Sequence, residues 1–437
     1  MPERLPPRPR TPAAVWWALI LVSAVHLVTT AGTWIVTDQA EALFTARRLI
    51  TDRTLDLAPA SDAHVPALPW LQAEPGQPLR TRLLPGTAVA LVPLLLLDRL
   101  LGWEDAVNYG RLVHLQGHVF VLAGLALLGG AVWRAYGSAS AAAAVVALTG
   151  TAWPVWQVSK RGGAAPILFF LMCVFAAAGH AAPDRAPSRR AEIVRAACCA
   201  LLPWVNPAGT VLSAALVIAT WLEGRRVLPL FAGAVLGNAS LVLLWNQLYH
   251  GHWWLGGYGS AHLGHEDWFG SVSFLQGLLR HVRAFLRQAP WLVLPALWFA
   301  LRGGPEGRRR LILPATITAA LLAVFATFYA PEPARRLSVV CPLWAMAVGW
   351  GWSRARWRHP WPLVALAGAG LLGFSWFMLD EGRYYAGPGG LFYPSVLWVK
   401  LALDGAPLWK TVLPVALLFA IATVSAQKVA AALRPAP

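Results

Sequence analysis

The residues most able to do chemistry sit just past the first apolar run. In Thr37-Asp38-Gln39-Ala40-Glu41-Ala42-Leu43-Phe44-Thr45-Ala46-Arg47-Arg48-Leu49 and its continuation, Asp38, Glu41, Thr45, Arg48 and Asp52 recur three or four residues apart. Ala40, Leu43, Ala46 and Ile50 fall on the other side, which predicts an amphipathic helix lying at a membrane surface. An aspartate held there can take a proton from an incoming hydroxyl or coordinate a divalent ion. The same spacing also fits a plain capping box, with Asp38 at the N-cap and Glu41 three residues on, so both roles stand open.

A second set of residues is cationic. Arg335 and Arg336 follow Phe328-Tyr329-Ala330-Pro331-Glu332-Pro333 at the mouth of an apolar run. Arginine can bind a phosphate bidentately and keeps its charge at any relevant pH, although at a helix end it also anchors in lipid headgroups. Arg80, Arg82, Lys160 and Arg161 are weaker candidates for the phosphate role. His250, His252, His262, His265, Glu266 and Asp267 are metal-ligand types, but their spacing fits no zinc pattern. With Trp253, Trp254 and Tyr258 among them, that segment reads as a sugar-stacking or interfacial loop. His114 and His118, four apart on one helix face, would suit a metal or haem pair, but with no carboxylate in the same span they read as interhelical hydrogen-bonding groups. Cys173, Cys198, Cys199 and Cys341 all lie in apolar runs, which predicts neither a disulfide nor a zinc knuckle.

The elements that position these residues follow from composition. Of 437 residues, 57% are hydrophobic and 13% charged, too few polar groups to clothe soluble domains. A mean hydropathy of +0.53 and recurring apolar runs predict an all-α polytopic membrane protein. Spans are expected near 13–36, 111–133, 139–157, 163–182, 227–248, 311–329, 337–353, 361–379 and 409–428. The run 193–222, broken by Pro203, Asn206 and Pro207, reads as two short spans or half-helices meeting at Trp204-Val205-Asn206-Pro207. The run 290–301 is long enough only if it extends back into the turn at Phe285.

Charge then sets the sidedness. The formal charge of +16 suggests nucleic acid, yet no soluble domain and no zinc-finger or RNP signature is present. If 85–103 lies in the interface or re-enters, every dense basic cluster falls on one face: the start, Arg134, 183–195, Arg225-Arg226, 302–310, 354–360 and the tail. Lysine and arginine mark that face as cytoplasmic. The result is a single membrane domain over 1–437 with about 12 spans (roughly 11–13) and both ends inside. Its outer face holds a large first loop over 37–110, with interfacial helices, and further loops at 158–162, 249–289, 330–336 and 380–408.

Several segments, in order, resemble the GT-C superfamily of polyprenyl-phosphate-sugar-dependent membrane glycosyltransferases, related to protein mannosyltransferases and lipid A aminoarabinose transferases. They are Asp38 to Leu49, Thr54-Leu55-Asp56-Leu57, Arg82-Leu83-Leu84-Pro85-Gly86 and Gly110 to Val113. Asn246 to Gly259, with Gly256-Gly257-Tyr258, and Ala334-Arg335-Arg336-Leu337 leading to Cys341-Pro342-Leu343 complete the set. The resemblance implies transfer of a sugar from a polyprenyl-phosphate donor to a hydroxyl on a lipid, glycan or protein at the outer face of the membrane, and the richness in Ala, Arg and Pro separately suggests a bacterial inner membrane. It implies Asp38 as catalytic acidic residue supported by Glu41, the cations named above on the carrier phosphate, and Tyr258, His265 and Tyr329 near sugar or acceptor. It requires no cofactor and admits a divalent metal. At Ser159-Lys160-Arg161-Gly162-Gly163 many relatives would carry a second acid, and this chain has none. A transporter or flippase of lipid-linked or small polar solutes, and a non-catalytic relative, are the alternatives. Transporters, however, place ionisable groups near the bilayer midplane, whereas the carboxylates here gather at its boundary.

Overall fold

The computed structural model of the chain describes residues 11–29, 37–55, 81, 84–102, 115–159, 163–179, 188–222, 228–251, 253, 274–326 and 333–355. Among them the regular structure is helical, with no strand. The helices are α1 (Ala13–Thr29), α2 (Thr37–Thr51), α3 (Pro85–Leu100), α4 (Gln116–Tyr136), α5 (Ala139–Gly150), α6 (Trp153–Ser159), α7 (Ala164–Gly179), α8 (Arg189–Val205), α9 (Pro207–Leu222) and α10 (Leu228–His250). They continue with α11 (Phe274–Gln288), α12 (Pro290–Arg302), α13 (Gly304–Phe325), a 3-10 helix (Pro333–Val340) and α14 (Cys341–Arg354). The runs 361–379 and 409–428 and the loop 380–408 lie outside the described residues.

Gln116–Tyr136 and Pro229–His250 are long and apolar enough to cross a bilayer, and shorter apolar helices occupy Ala13–His26, Ala164–Gly179 and Ala208–Leu222. Helix α4 sits against α7, α5 and α1. Val121, Leu125 and Leu128 of α4 belong to the same buried cluster as Phe169 and Cys173 of α7, Val146 of α5 and Val348 of α14. The close approach depends on Gly124, where a Cβ would stand 2.8 Å from Cys173 Sγ. Small residues at helix crossings are how apolar helices gain contact inside lipid, where burial in protein brings little hydrophobic gain.

Two expected spans are bent. Residues 139–157 read as one run, but α5 and α6 meet at 69°. The cause is Pro154, which has no N–H to give to the carbonyl of Gly150 four residues back. That carbonyl is met instead by His26 of α1, whose Nε2 donates at 2.7 Å. The run 290–301 does not lengthen backward through Phe285 as expected: its helix begins at Pro290, and Phe274–Leu286 and Pro290–Arg302 stand at 90°.

The 193–222 run is a helical hairpin. Asn206 is extended between α8 and α9, its Oδ1 accepts from the Ala208 N–H at 2.9 Å, and its carbonyl accepts from the Gly209 N–H at 2.7 Å. Across the hairpin Ser213 donates to the Cys199 carbonyl at 2.6 Å, and a Cβ on Gly209 would collide with the Leu202 carbonyl. Toward the start of α8, Arg195 is buried beside Glu192 at 3.5 Å, with the Phe175 ring 4.3 Å and the Phe231 ring 5.4 Å from its guanidinium carbon.

Helix α13 begins earlier than its apolar run, at Gly304. Its first-turn Glu306 accepts from Arg354, at the end of α14, through two hydrogen bonds of 2.8 and 3.1 Å.

Candidate functional site

The first loop opens with α2, and Asp38 lies in its first turn. The sequence pattern put Glu41 and Thr45 on a polar face at the surface, and the structure corrects this: both are buried, alongside Ala42, Leu43 and Ala46. The buried hydroxyl of Thr45 is satisfied by the Glu41 carbonyl at 2.8 Å. Toward the end of α2, Arg48 pairs with Asp52, one residue past the helix, at 2.5 Å. Ala42, Leu43, Phe44 and Ala46 form a separate apolar layer with Ala88, Leu91 and Leu95 of α3.

The Glu41 carboxylate is fully enclosed and accepts from the Thr81 hydroxyl at 2.7 Å. A buried carboxyl oxygen needs such a donor, because desolvation without one is costly. Thr81 lies in the chain between Arg80 and Arg82, which are outside the described residues. Glu41 thus ties the arginine-bearing end of the first loop back to α2. No spacing rule shows this tie, since its members are 40 residues apart.

Helix α3 is seated on the α8–α9 turn. Thr87 donates to the Val205 carbonyl at 2.9 Å, and a Cβ on Gly86 would stand 2.6 Å from the Trp204 carbonyl oxygen. Trp204 in turn donates from Nε1 to Asn238 of α10 at 2.5 Å. An aromatic column continues up α10 through Trp245 and Tyr249, stacked with centroids 5.0 Å apart. The Tyr249 hydroxyl donates to the Leu55 carbonyl, just past α2, at 2.8 Å. The end of α10, both sides of α2 and the start of α3 therefore form one connected assembly.

The arginine-bearing 3-10 helix contains Arg335 and Arg336 and packs against α6, α7 and α11. Its buried residues Leu337, Ser338, Val339 and Val340 hold it to the core. Helix α6 ends at Ser159, beside Lys160 and Arg161, which lie outside the described residues. Both ends of that short connection are fixed. Ser159 donates to the Trp156 carbonyl at 2.8 Å, and Gly163 is held by Gln116. The Gln116 amide accepts from the Gly163 N–H at 2.9 Å and donates to its carbonyl at 3.2 Å, a reciprocal pair.

His118 is buried with its ring edge-on to His26, centroids 6.2 Å apart, in keeping with a role between helices. His114, Tyr258, His265 and Tyr329 lie outside the described residues. Among the described residues no three His, Cys, Asp or Glu side chains gather to hold a metal, and the four cysteines are buried and free. The sequence reading missed Thr81, Gln116, Tyr249 and the buried Asp98 of α3. It also left residues 274–288 in a loop, although the leucines at 275, 279 and 286 carry a helical period.

No protein-family model matches the sequence, and no curated protein matches it. The fold does have solved counterparts. ArnT from Cupriavidus metallidurans bound to undecaprenyl phosphate superposes with a TM-score of 0.56 at 17% identity, over 96% of this chain and 73% of that one. The apo state of the same ArnT gives 0.56 at 18% identity, over 96% and 74%. The chain therefore has the GT-C fold and is a polytopic helical membrane protein.

Proposed function

We propose that the protein is a membrane glycosyltransferase that moves a sugar from a polyprenyl-phosphate donor to a hydroxyl acceptor at the outer face of the membrane. The observation that carries this reading is the GT-C fold, shared over 96% of the chain with an ArnT that binds undecaprenyl phosphate. It is supported by the placement of Asp38 at the start of α2 and of Arg335 and Arg336 on the 3-10 helix. The outward placement of the site is part of the same proposal and rests on the distribution of basic residues, and the bacterial inner membrane rests on the richness in Ala, Arg and Pro.

In the proposed step the Asp38 carboxylate takes the proton of the acceptor hydroxyl. The hydroxyl oxygen bonds to the anomeric carbon, and the bond from that carbon to the phosphate oxygen breaks. The electron pair leaves on the lipid monophosphate, whose growing charge Arg335 and Arg336 stabilise, with Arg80, Arg82, Lys160 and Arg161 as further cations. Phosphate is already a good leaving group, so a second carboxyl is not needed, unlike in glycoside hydrolysis. Glu41 acts by holding Thr81, and with it the Arg80–Arg82 segment, to the helix that bears the base. Tyr258, His265 and Tyr329 are assigned to sugar or acceptor contacts.

The test is transfer of labelled sugar from a panel of polyprenyl-phosphate-sugars into membrane extract, comparing the native chain with Asp38→Asn at matched expression. Transfer by the native chain that falls at least about 100-fold in the variant supports the reading. A native chain that binds carrier but consumes no donor sinks it and favours a flippase or a non-catalytic relative.

A further inference from the structure

Helix α11 presents three different surfaces on 15 residues. At roughly 100° per residue, Gly277, His281 and Phe285 share one side, and all three are buried. This side meets the protein: a Cβ on Gly277 would run into the Ala326 carbonyl at the end of α13, and the 3-10 helix packs alongside. Leu275, Leu279 and Leu286 share a second side with Val282 and are 63%, 59% and 42% exposed. About a quarter to a third of a turn further round come Gln276, Arg280 and Arg283, and α11 contains no acidic residue.

The direction of α11 gives this pattern its meaning. It stands at 90° to the stretch Pro290–Arg302, which is α12. Helix α12 has its own exposed apolar side, with Leu294, Trp298 and Leu301 more than half exposed. If α12 runs across the bilayer, α11 lies in its plane. The leucine side of α11 then continues the lipid-facing exterior of α12, and Arg280 and Arg283 stand beside it at the level of lipid phosphates. Water is a poor partner for that leucine stripe, and a protein partner would have no need of arginines along its edge.

We infer that α11 is an in-plane membrane helix whose partner is a leaflet of anionic phospholipid. Leu275, Leu279, Val282 and Leu286 lie on acyl chains, and Arg280 and Arg283 pair with lipid phosphates. Because its buried side packs with the 3-10 helix, α11 sets the depth of that helix relative to the headgroups. The inference stands independently of sugar transfer.

The test uses the full chain in lipid nanodiscs, with a nitroxide on a single introduced cysteine. The four native cysteines are buried, and the native chain carried through the same labelling sets the background. Labels at Leu279→Cys and Leu286→Cys are expected to collide more often with oxygen than with a water-soluble nickel complex, and labels at Gln276→Cys and Arg283→Cys the reverse. Nickel access at Leu279→Cys and Leu286→Cys would place the helix in water. Loss of access to both reagents there would show a protein partner or a second copy, and either result overturns the proposal. For the charge component, spin-labelled phosphatidylglycerol should be immobilised by the native chain in preference to spin-labelled phosphatidylcholine. The doubly substituted Arg280→Gln/Arg283→Gln chain should lose a measurable part of that preference; an unchanged preference overturns the assignment of the arginines to lipid phosphate.

Discussion

The smallest unit that organises the first loop is a single hydrogen bond, from the Thr81 hydroxyl to the enclosed Glu41 carboxylate. Removing that donor leaves a buried oxygen without it, so Thr81→Val is expected to lower stability by about 1–3 kcal/mol, and Thr81→Ser to recover most of the loss. Chemical unfolding of the full chain in detergent measures both, and a valine variant as stable as the native chain would remove the tie from the account. A reader of the sequence sees Glu41 as one member of a polar stripe and gives it to the surface. Its true surroundings depend on α3 and on the return of the loop at Thr81, and neither is encoded in the helical period of α2. Asp38, by contrast, was placed at the start of a helix by local pattern alone, and it lies in the first turn of α2.

Among the elements, the bend between α5 and α6 shows how one residue of one helix can repair a fault in another. Pro154 leaves the Gly150 carbonyl without its helical donor, and His26 supplies one. His26→Leu should therefore cost about 1 kcal/mol in the native chain but much less in a Pro154→Ala background, where residue 154 regains an N–H. Thermal unfolding of the four chains gives the coupling, and equal costs in the two backgrounds would show that the Gly150 carbonyl does not need His26. The sequence made the apolar runs legible, together with the Asn206 turn, because Pro203, Asn206 and Pro207 interrupt an otherwise apolar stretch. It did not make the Pro154 bend legible, since a proline near the end of an apolar run is equally compatible with a straight span whose backbone is satisfied by neighbours. Helix α11 escaped for a different reason: its leucines face outward and its arginines resemble those of a polar loop.

Across the molecule, the buried pair of Arg195 and Glu192 joins the packing of α8 to Phe175 of α7 and Phe231 of α10. Arg195→Gln leaves the Glu192 charge enclosed without its cation and is expected to cost about 3 kcal/mol or more. The neutral pair Arg195→Met/Glu192→Gln should recover a large share, as read by the thermal midpoint of the purified chain. A double variant no better than the single would mean that the ring contacts of Arg195, not its charge, hold the three helices. The overall architecture was accessible from hydropathy and charge because both are summed over many residues, whereas the junctions between helices depend on individual carbonyls and hydroxyls. One such junction also constrains the order of assembly. The two hydrogen bonds between Gln116 and Gly163 span 47 residues, so in a chain synthesised from its N-terminus they form only after α5 and α6 have been made. Until then the buried carboxamide at the head of α4 has no Gly163 to hold, and α4 enters the bilayer with that end still unlatched. The link between the head of α4 and the start of α7 is thus completed only once Gly163 has been synthesised.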